Sequence, residues 1–237
     1  MMPPVAILAG GFATRLRPIT ETIPKAMIDI AGRPFISYQM ELLKRKGIER
    51  VVLCTGYLGK QIQDFLKDGS PFGITVTYSF DGDKLLGTGG ALRKALPLLG
   101  DTFWVMYGDS YLDVDLKPIL DYYTSHDEKG LMTVLRNDNH WDRSNVVYNH
   151  GRIIRYDKQN ITPDMHYIDY GLALLKKEAF DDFLEKEVFD LAELYGNLVV
   201  KGEMLGYEVT KRFYEIGSHK GLEETRKHLA MLNEDSN

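Results

Sequence analysis

The first half of the chain alternates short apolar runs with longer amphipathic segments. The short runs are rich in β-branched residues, and the longer ones repeat their apolar positions with a helical period, which is typical of βαβ units. Strands are predicted at residues 5–8, 50–55, 74–79 and 103–107, and helices at residues 35–46, 58–66, 89–96 and 116–126. Right-handed crossovers place the loops after these strands along one edge of a sheet, where open α/β folds bind ligands.

The second half is less regular, and we interpret it as a subdomain grafted onto the same sheet. Strands are predicted at residues 131–136, 145–147, 153–156, 168–174 and 207–209, and helices at residues 177–184, 190–201 and 221–232. The polar tail 233–237 is expected to fray. The predicted fold is α/β, with a Rossmann-like, mostly parallel sheet and flanking helices. Because no repeat or linker interrupts the chain, we predict one domain, residues 1–237, with two halves meeting near residue 112.

Composition narrows the classes of partner. The chain carries 29 Lys and Arg against 34 Asp and Glu, a net charge of −5, so it offers no overall basic footprint for nucleic acid. No segment reaches the ~18 consecutive apolar residues of a membrane span, and the N-terminus lacks the pattern of a cleavable leader. The single cysteine, Cys54, lies in an apolar run and is expected to be a core residue in a reducing compartment. We therefore expect a cytoplasmic protein.

The strongest chemical signal follows the first predicted strand. Gly10 and Gly11 form a loop that backbone N–H groups could use to approach a phosphate. The nicotinamide fingerprint G-x-G-x-x-G is absent, and so is the G-x-x-x-x-G-K-[ST] loop. Two cations, Arg15 and Lys25, stand on the same stretch before the next helix and suit a triphosphate. The alternative is a tight turn flanked by two solvated charges.

The motif L-A-G-G-F-A-T-R-L-R-P at residues 8–18, followed by P-K-A-M at 24–27 and G-R-P at 32–34, resembles the signature of the sugar-1-phosphate nucleotidylyltransferases. Ala13 stands where that family usually has glycine. The resemblance implies a nucleotide-binding first half and a sugar-phosphate-binding second half. It assigns catalytic roles to Arg15 and Lys25, and nucleotide binding to the backbone of Leu8, Ala9, Gly10 and Gly11.

Further matches extend this resemblance through the first half and into the last segment. The L-G-T-G-G-A stretch at 86–91 is similar to the family segment that packs on the base and ribose, which implies that Gly87 and Thr88 bind nucleotide. Asp81, just before it, is a candidate hydrogen-bond partner of the base. Asp109 resembles the Mg²⁺ ligand after the fourth strand, and Glu215 in F-Y-E-I-G-S stands where the family has a second acidic ligand, usually Asp.

The residues expected to bind the sugar phosphate match the family's motifs less closely than those of the nucleotide-binding half do. The R-Y-D-K stretch at 155–158 resembles the family's F-x-E-K-P, in which the lysine holds the sugar phosphate and the acid contacts hydroxyls, roles that fall on Lys158 and Asp157. Asp169 and Gly171 lie where many relatives have N-A-G. Only the glycine is retained, which predicts a sugar other than that of the common glucose enzymes. Asn145, in a polar segment before a strand, is a further candidate for the sugar pocket.

The implied reaction is attack by a sugar 1-phosphate oxygen on the α-phosphorus of a nucleoside triphosphate. A phosphate monoester has a second pKa of about 6 and needs no general base at neutral pH. This agrees with the absence of H-E-x-x-H and G-x-S-x-G motifs. Catalysis should therefore rest on positioning and electrostatics, with Arg15 on the β- and γ-phosphates, Lys25 between the two substrates, and Mg²⁺ on the α-phosphate.

Within the family, the compact length and the G-D-S-Y stretch at 108–111 look most similar to guanylyltransferases for heptose or mannose 1-phosphate. The uridylyl-, cytidylyl- and thymidylyltransferase branches stay open. Asp113 and Asp115 form a D-x-D that would suit a glycosyltransferase, whereas the simpler interpretation makes Asp115 the N-cap of the following helix. A non-catalytic nucleotide-sugar sensor is the other rival. Relatives are often dimers or tetramers, which leaves a homo-oligomer open.

Overall fold

A nine-stranded sheet forms the centre of the computed structural model, which describes residues 2–234. The strands are β1 Val5–Leu8, β2 Asp29–Ile30, β3 Arg33–Pro34, β4 Arg50–Thr55, β5 Thr75–Phe80, β6 Thr102–Tyr107, β7 Ser110–Tyr111, β8 Gly130–Arg136, β9 Val146–Asn149, β10 Arg152–Tyr156, β11 Tyr167–Lys176, β12 Met204–Val209 and β13 Tyr214–Glu215. The α-helices are α1 Phe35–Arg45, α2 Gly59–Leu66, α3 Gly87–Leu99, α4 Leu116–Thr124, α5 Leu191–Val200 and α6 His219–Glu234.

The strand order across this sheet is β5-β4-β1-β6-β11-β8-β12-β10-β9. Strands β5, β4, β1 and β6 are parallel to one another, as βαβ units require. Strand β11 then runs antiparallel between β6 and β8, while β12 is parallel to β8. The α/β class is confirmed. The sheet is parallel in the part built by the first half of the chain and mixed in the part built by the second.

The four predicted strands and four predicted helices of the first half all form, with ends shifted by at most three residues. In the second half, a helix is predicted at residues 177–184, and Lys177–Phe183 forms one of the 3₁₀ type. Its buried Phe180 and Phe183 are three residues apart and so stack on one side of a three-residue turn. Helix α6 includes residues 233 and 234 of the tail expected to fray, and residues 235–237 lie outside the described part.

Successive side chains along the strands point to opposite faces of the sheet, so the apolar residues form two separate cores. Val5 and Ile7 face helices α1, α2 and α4, whereas Ala6 and Leu8 face α3 and α5. Cys54 lies in the second core, as predicted, and burial raises the pKa of its thiol to about 12. A third, smaller cluster anchors α6 against α1 and the turn at Leu16. Within residues 2–234, no helix is both long and apolar enough to cross a bilayer.

Candidate active site

A cavity of about 220 Å³ opens where β1, β4 and β6 end, at the sheet edge that the sequence predicts for ligand binding. Nine of the predicted site residues line it: Leu8, Ala9, Gly10, Gly11, Lys25, Asp81, Gly87, Thr88 and Asp109. Six further lining residues were not singled out from the sequence: Ala26, Cys54, Leu85, Ala91, Tyr107 and Gly108. Two of these, Cys54 and Tyr107, lie at or next to the ends of predicted strands, a signal that could have identified them.

The two glycines after β1 have different roles. A Cβ on Gly10 would lie 2.9 Å from the backbone nitrogen of Gly56, so the close approach of the loop after β4 requires glycine there. Gly11 has no heavy atom within 4 Å of its Cβ position, so this residue faces open space. Ala13 has φ 48° and ψ 44°, a left-handed conformation that explains why glycine is usual at this position of the motif.

Arg15 lies in a short 3₁₀ turn, Thr14–Leu16, whose Leu16 is fully buried. Its guanidinium is exposed and makes no hydrogen bond or ion pair with another described residue. Arg15 does not line the cavity, but its loop begins at Gly11, which does. The residue is therefore anchored through its neighbour while its charge stays available.

Lys25 and Asp109 meet at the cavity, with 2.7 Å between Lys25 Nζ and Asp109 Oδ2. Both side chains are about one quarter exposed, at 23% and 25%. Lys25 opens a 3₁₀ turn directly after Pro24, and Asp109 lies in the turn between β6 and β7. The fold brings these two residues, which are 84 positions apart in the chain, into direct contact.

A buried glutamine holds the turn that carries Asp109. Gln39 on α1 is 0% exposed, and its Nε2 donates to the carbonyl oxygens of Tyr107 at 3.2 Å and Ser110 at 2.8 Å. These carbonyls lie on either side of Gly108 and Asp109. Sequence reasoning missed Gln39. The available signal was a polar residue in the middle of the otherwise apolar face of a predicted helix.

Glu215, the second predicted metal ligand, lies beside Asp109 because β13 pairs with β7. A Cβ on Gly217 would lie 2.9 Å from both Asp109 Oδ2 and Glu215 Oε2, so the two carboxylates border the same space. Oxygen Oε2 of Glu215 accepts hydrogen bonds from the backbone N–H groups of Gly217 and Ser218, and Oε1 accepts one from the Ser218 hydroxyl at 2.6 Å.

The longer Glu215 side chain fits because position 221 is glycine. A Cβ on Gly221 would overlap Glu215 Oε1. Asp109 lines the cavity and Glu215, which does not, lies beside it. Two neighbouring carboxylates fit Mg²⁺, which is usually bound by one or two carboxylates together with substrate phosphates and water. Among the described residues, no cluster of three or more His, Cys, Asp or Glu side chains could hold a metal by itself. The donor set therefore fits an ion that arrives with a phosphate ligand.

The glycine-rich segment at 86–91 has an internal packing role as well as a place in the cavity wall. The N–H groups of Gly89 and Gly90 donate to the carbonyl oxygen of Phe189 at 3.0 and 3.2 Å, and side chains at either position would overlap the 187–189 segment. The Thr88 hydroxyl accepts from the backbone N–H of Leu191 at 2.8 Å. Of this segment's predicted nucleotide-binding residues, Gly87 and Thr88 do line the cavity.

Asp81 lines the cavity as a buried acid, 8% exposed. Its Oδ2 accepts a 3.3 Å hydrogen bond from the backbone N–H of Leu86. Burial raises the pKa of its carboxyl above the usual range, although that hydrogen bond and the charge of Lys94 act in the opposite direction. The carboxylate thus supplies a hydrogen-bond acceptor in an otherwise largely apolar wall.

Of the predicted sugar-side residues, Lys158, Asp169 and Gly171 lie close to Tyr107, outside the residues that line the cavity. Lys158 Nζ lies 3.3 Å from the Tyr107 hydroxyl and 3.9 Å from Asp169 Oδ2. A Cβ on Gly171, which has φ +91°, would lie 3.4 Å from the Tyr107 ring. Asn145 is buried, and its Oδ1 accepts from the backbone N–H of Asp169 at 2.9 Å, so it positions that residue.

Asp157 is turned away from this group. Its Oδ1 accepts from the N–H groups of Gln159 and Asn160, both at 2.8 Å, and Oδ2 accepts from the Asn160 side chain. These hydrogen bonds lower the pKa of the Asp157 carboxyl. The carboxylate closes the turn that presents Lys158, and its predicted contact with sugar hydroxyls stays a prediction.

The D-x-D pair has structural partners. Asp113 lies 2.8 Å from Lys46 Nζ and also pairs with Lys211. Asp115 is the N-cap of α4, and its side chain accepts from the backbone N–H of Lys117 at 3.2 Å. The N-cap interpretation is confirmed, and the glycosyltransferase alternative loses the feature on which it depended.

Comparisons with known proteins identify the family of this chain. The family model described as nucleotidyl transferase matches residues 5–230. The chain is 32% identical over 188 residues to a D-glycero-alpha-D-manno-heptose 1-phosphate guanylyltransferase of Campylobacter jejuni, covering 79% of this chain and 82% of that protein. It is 43% identical over 110 residues to an N-acetylmuramate alpha-1-phosphate uridylyltransferase of Neisseria meningitidis, covering 46% of this chain and 48% of that protein. The chain spans about half the length of some curated relatives, 52% in one case.

Solved structures share the fold. The crystal structure of HddC from Yersinia pseudotuberculosis is similar with a TM-score of 0.78 and 26% identity, covering 96% of this chain and 100% of that chain. A second crystal structure of HddC, complexed with GMP-PN, gives a TM-score of 0.77 at 25% identity. The family model matches most of the chain, and the guanylyltransferase of Campylobacter jejuni is covered over 82% of its length. This chain therefore belongs to the nucleotidyl transferase family.

Proposed function

We propose that this chain transfers a nucleotidyl group from a nucleoside triphosphate to a sugar 1-phosphate, with release of pyrophosphate, and that it uses GTP with heptose or mannose 1-phosphate. The observation that carries the proposal is the 2.7 Å ion pair of Lys25 and Asp109 at a cavity lined by Gly10 and Gly11. The cavity lining thus offers glycine backbone to phosphates, together with a cation and an acid.

In this proposal the chain positions two anions that repel each other. The sugar phosphate oxygen attacks the α-phosphorus, and the bond to the pyrophosphate leaving group breaks. Lys25 lies where it can contact both phosphates, Lys158 holds the acceptor phosphate, and Arg15 stabilises the charge that develops on pyrophosphate. No side chain has to remove a proton, because the attacking phosphate is already largely ionised at neutral pH.

Mg²⁺ is part of this proposal, and Asp109 and Glu215 are the residues that would hold it. When bound, the ion would neutralise charge on the phosphates. Asp109 would then exchange its pairing with Lys25 for the ion, which frees the ammonium group for phosphate. Glu215 would be held in place by its hydrogen bonds from Gly217 and Ser218.

Guanine is supported by the acid in the cavity wall. The guanine edge carries N–H donors, including the exocyclic amino group, and a buried carboxylate accepts such donors. Asp81 supplies that acceptor beside Gly10, and both residues line the cavity. The guanylyltransferase similarity points in the same direction, whereas the uridylyltransferase similarity keeps UTP as the alternative.

The test is pyrophosphate release across a grid of GTP, UTP, CTP, dTTP and ATP against neutral and charged sugar 1-phosphates. We expect GTP to exceed the other nucleotides at least tenfold, and Lys25→Ala and Asp109→Ala each to lower turnover at least about 100-fold. Lys60→Ala, which removes an exposed lysine paired with Asp64 on α2, should leave turnover unchanged. Release from no pair of substrates would overturn the proposal, and near-normal turnover in either site variant would contradict the assigned role.

We further propose a cytoplasmic, reducing setting, in which the single buried thiol of Cys54 stays unpaired. Nucleic acid is not expected as a partner of this acidic chain. A homo-oligomer stays a prediction, to be measured by light scattering.

A further inference from the structure

The carboxylate of Asp169 lies beside the predicted sugar-phosphate lysine, and its side chain is only 5% exposed. It lies on β11 at the point where the pairing of β11 with β8 changes register, between Asp169 and Ala173. Its Oδ1 accepts from the backbone N–H of Gly171 at 3.0 Å. One oxygen is therefore fixed by the local backbone, which orients the other.

Within residues 2–234, the partners of the second oxygen of Asp169 are distant. Oδ2 lies 3.4 Å from the Tyr156 hydroxyl and 3.9 Å from Lys158 Nζ. Charge-assisted hydrogen bonds are usually about 2.7–2.9 Å long. A carboxylate oxygen can accept more than one hydrogen bond, so Oδ2 retains capacity for a donor from a bound molecule.

This oxygen is close to the place where a sugar would lie. Lys158 Nζ is 3.3 Å from the Tyr107 hydroxyl and 5.3 Å from the centre of the Tyr107 ring. Tyr107 in turn lines the cavity that contains Lys25 and Asp109. If Lys158 holds the phosphate of the acceptor, which rests on the proposed function, the attached ring reaches the neighbourhood of Asp169.

The positive charge beside Asp169 is enough to bind one anion, the phosphate of the acceptor. Lys158 faces Asp169, and a bound phosphate would take up the charge of the lysine. The nearby Arg155 is directed to the Thr162 hydroxyl, at 3.4 Å, on the exposed side of β10. A carboxylate on the sugar would therefore meet the charge of Asp169 in a partly buried place, where like charges interact strongly.

We propose that Asp169 restricts the acceptor to sugar 1-phosphates whose only charged group is the phosphate and that present a hydroxyl to Oδ2. Sugars that carry a carboxylate, such as uronic acids or lactyl ethers, are excluded by repulsion. A sugar that lacks the hydroxyl leaves the acid without its partner, which is the kind of loss that makes polar sites selective.

The test compares matched pairs of acceptors that differ in the charge of the sugar: mannose 1-phosphate with mannuronic acid 1-phosphate, and N-acetylglucosamine 1-phosphate with N-acetylmuramic acid 1-phosphate. Dissociation constants are measured by calorimetry in the presence of a non-hydrolysable GTP analogue, and kcat/KM is measured for every acceptor that turns over. We expect the acceptor with the uncharged sugar to bind at least about 100-fold more tightly than its carboxylated partner, equivalent to about 2.7 kcal/mol. In Asp169→Asn that ratio should fall below about tenfold.

Binding of a charged acceptor within threefold of its neutral partner would overturn the inference, as would an unchanged ratio in Asp169→Asn. Binding that follows the expected order without any pyrophosphate release would overturn the proposed function alone. If no acceptor binds, both fail.

Asp182→Asn is the matched control, because Asp182 is an exposed acid of the same half, paired with Lys201, and its removal should leave the ratio unchanged. Tyr156→Phe provides a second variant in case Asp169→Asn does not fold. It removes the hydroxyl near Oδ2 but keeps the charge, so the exclusion of charged sugars should persist. Loss of the exclusion in Tyr156→Phe would contradict a role for the charge.

Discussion

Replacing Gln39 by methionine tests whether the turn that carries Asp109 is held from behind. Methionine keeps the length and apolar stem of the side chain but removes the amide that donates to the carbonyls of Tyr107 and Ser110. A buried carbonyl left without its partner costs about 1–3 kcal/mol. Gln39 Oε1 is itself buried without a hydrogen-bond partner among the described residues. Removing this oxygen relieves an unfavourable burial and so offsets part of the loss of stability.

We therefore expect Gln39→Met to lower the free energy of unfolding by about 1–3 kcal/mol, measured by urea denaturation. The larger effect should be on Mg²⁺-dependent turnover. A misplacement of about 1 Å in a catalytic group costs about 100-fold, so we expect kcat/KM to fall between about 10- and 100-fold and half-saturation by Mg²⁺ to move to higher concentration. Binding of Mn²⁺ with GTP, followed by electron paramagnetic resonance, reports the metal site independently of turnover.

Tyr38→Phe is the matched control on the same helix. The Tyr38 hydroxyl donates to the carbonyl of Ile30 at 2.9 Å, away from the cavity, so its loss should lower stability without changing the response to Mg²⁺. The reasoning is refuted if Gln39→Met loses stability while its Mg²⁺ titration and Mn²⁺ affinity match those of the unmodified protein, because Gln39 would then act only as a core residue.

Three further predictions follow from the site and the core. Gly221→Ala should displace the Glu215 carboxylate and weaken Mn²⁺ binding with GTP at least tenfold; unchanged binding would show that Glu215 does not hold the metal. Lys158→Met should raise the KM for sugar 1-phosphate by about 10–100-fold, because one charge-assisted hydrogen bond is lost. The dissociation constant of GTP should change less than twofold. An equal change in both constants would contradict the place of Lys158 on the acceptor side. Burial raises the pKa of the Cys54 thiol from 9.0 to about 12, so the unfolded state loses that proton first, and stability falls as the pH rises from 9 towards 12. At pH 10.5, Cys54 should account for about 2 kcal/mol of that fall, and Cys54→Ala should remove this part in urea titrations; an identical pH dependence in the variant would refute the assignment.

The first-half fold was readable from the sequence because its determinants are local. Each strand is a short apolar run that ends in a turn, and each following helix shows its own period. Gly11, Lys25 and Asp109 could also be predicted from the local sequence, because each lies after a strand end or within a motif. Contacts between residues far apart in the chain are harder to predict: nothing near Gln39 indicates that its partners are the carbonyls of Tyr107 and Ser110.

The predicted strands and helices of the second half also form, but the order of its strands in the sheet could not be predicted, for the same physical reason. Strand β11 is inserted between β6 and β8, and pairing between strands so far apart in sequence leaves no local pattern. The two-residue ladders β2–β3 and β7–β13 are too short for any periodicity. The role of Gly89 and Gly90 was also hidden, since their requirement comes from Phe189 on a distant segment.

The position of β11 in the middle of the sheet has a consequence for synthesis of the chain. While only residues up to about 112 have been made, β6 has β1 on one side and an unpaired edge on the other. An apolar edge strand of this kind is a template for association with other chains. It is covered only when Leu172 and its neighbours on β11 pair with β6, so the nascent chain must keep that edge protected until about residue 176 has emerged from the ribosome. A fragment ending near residue 112 should therefore aggregate on expression, even though all fifteen residues that line the cavity lie within it.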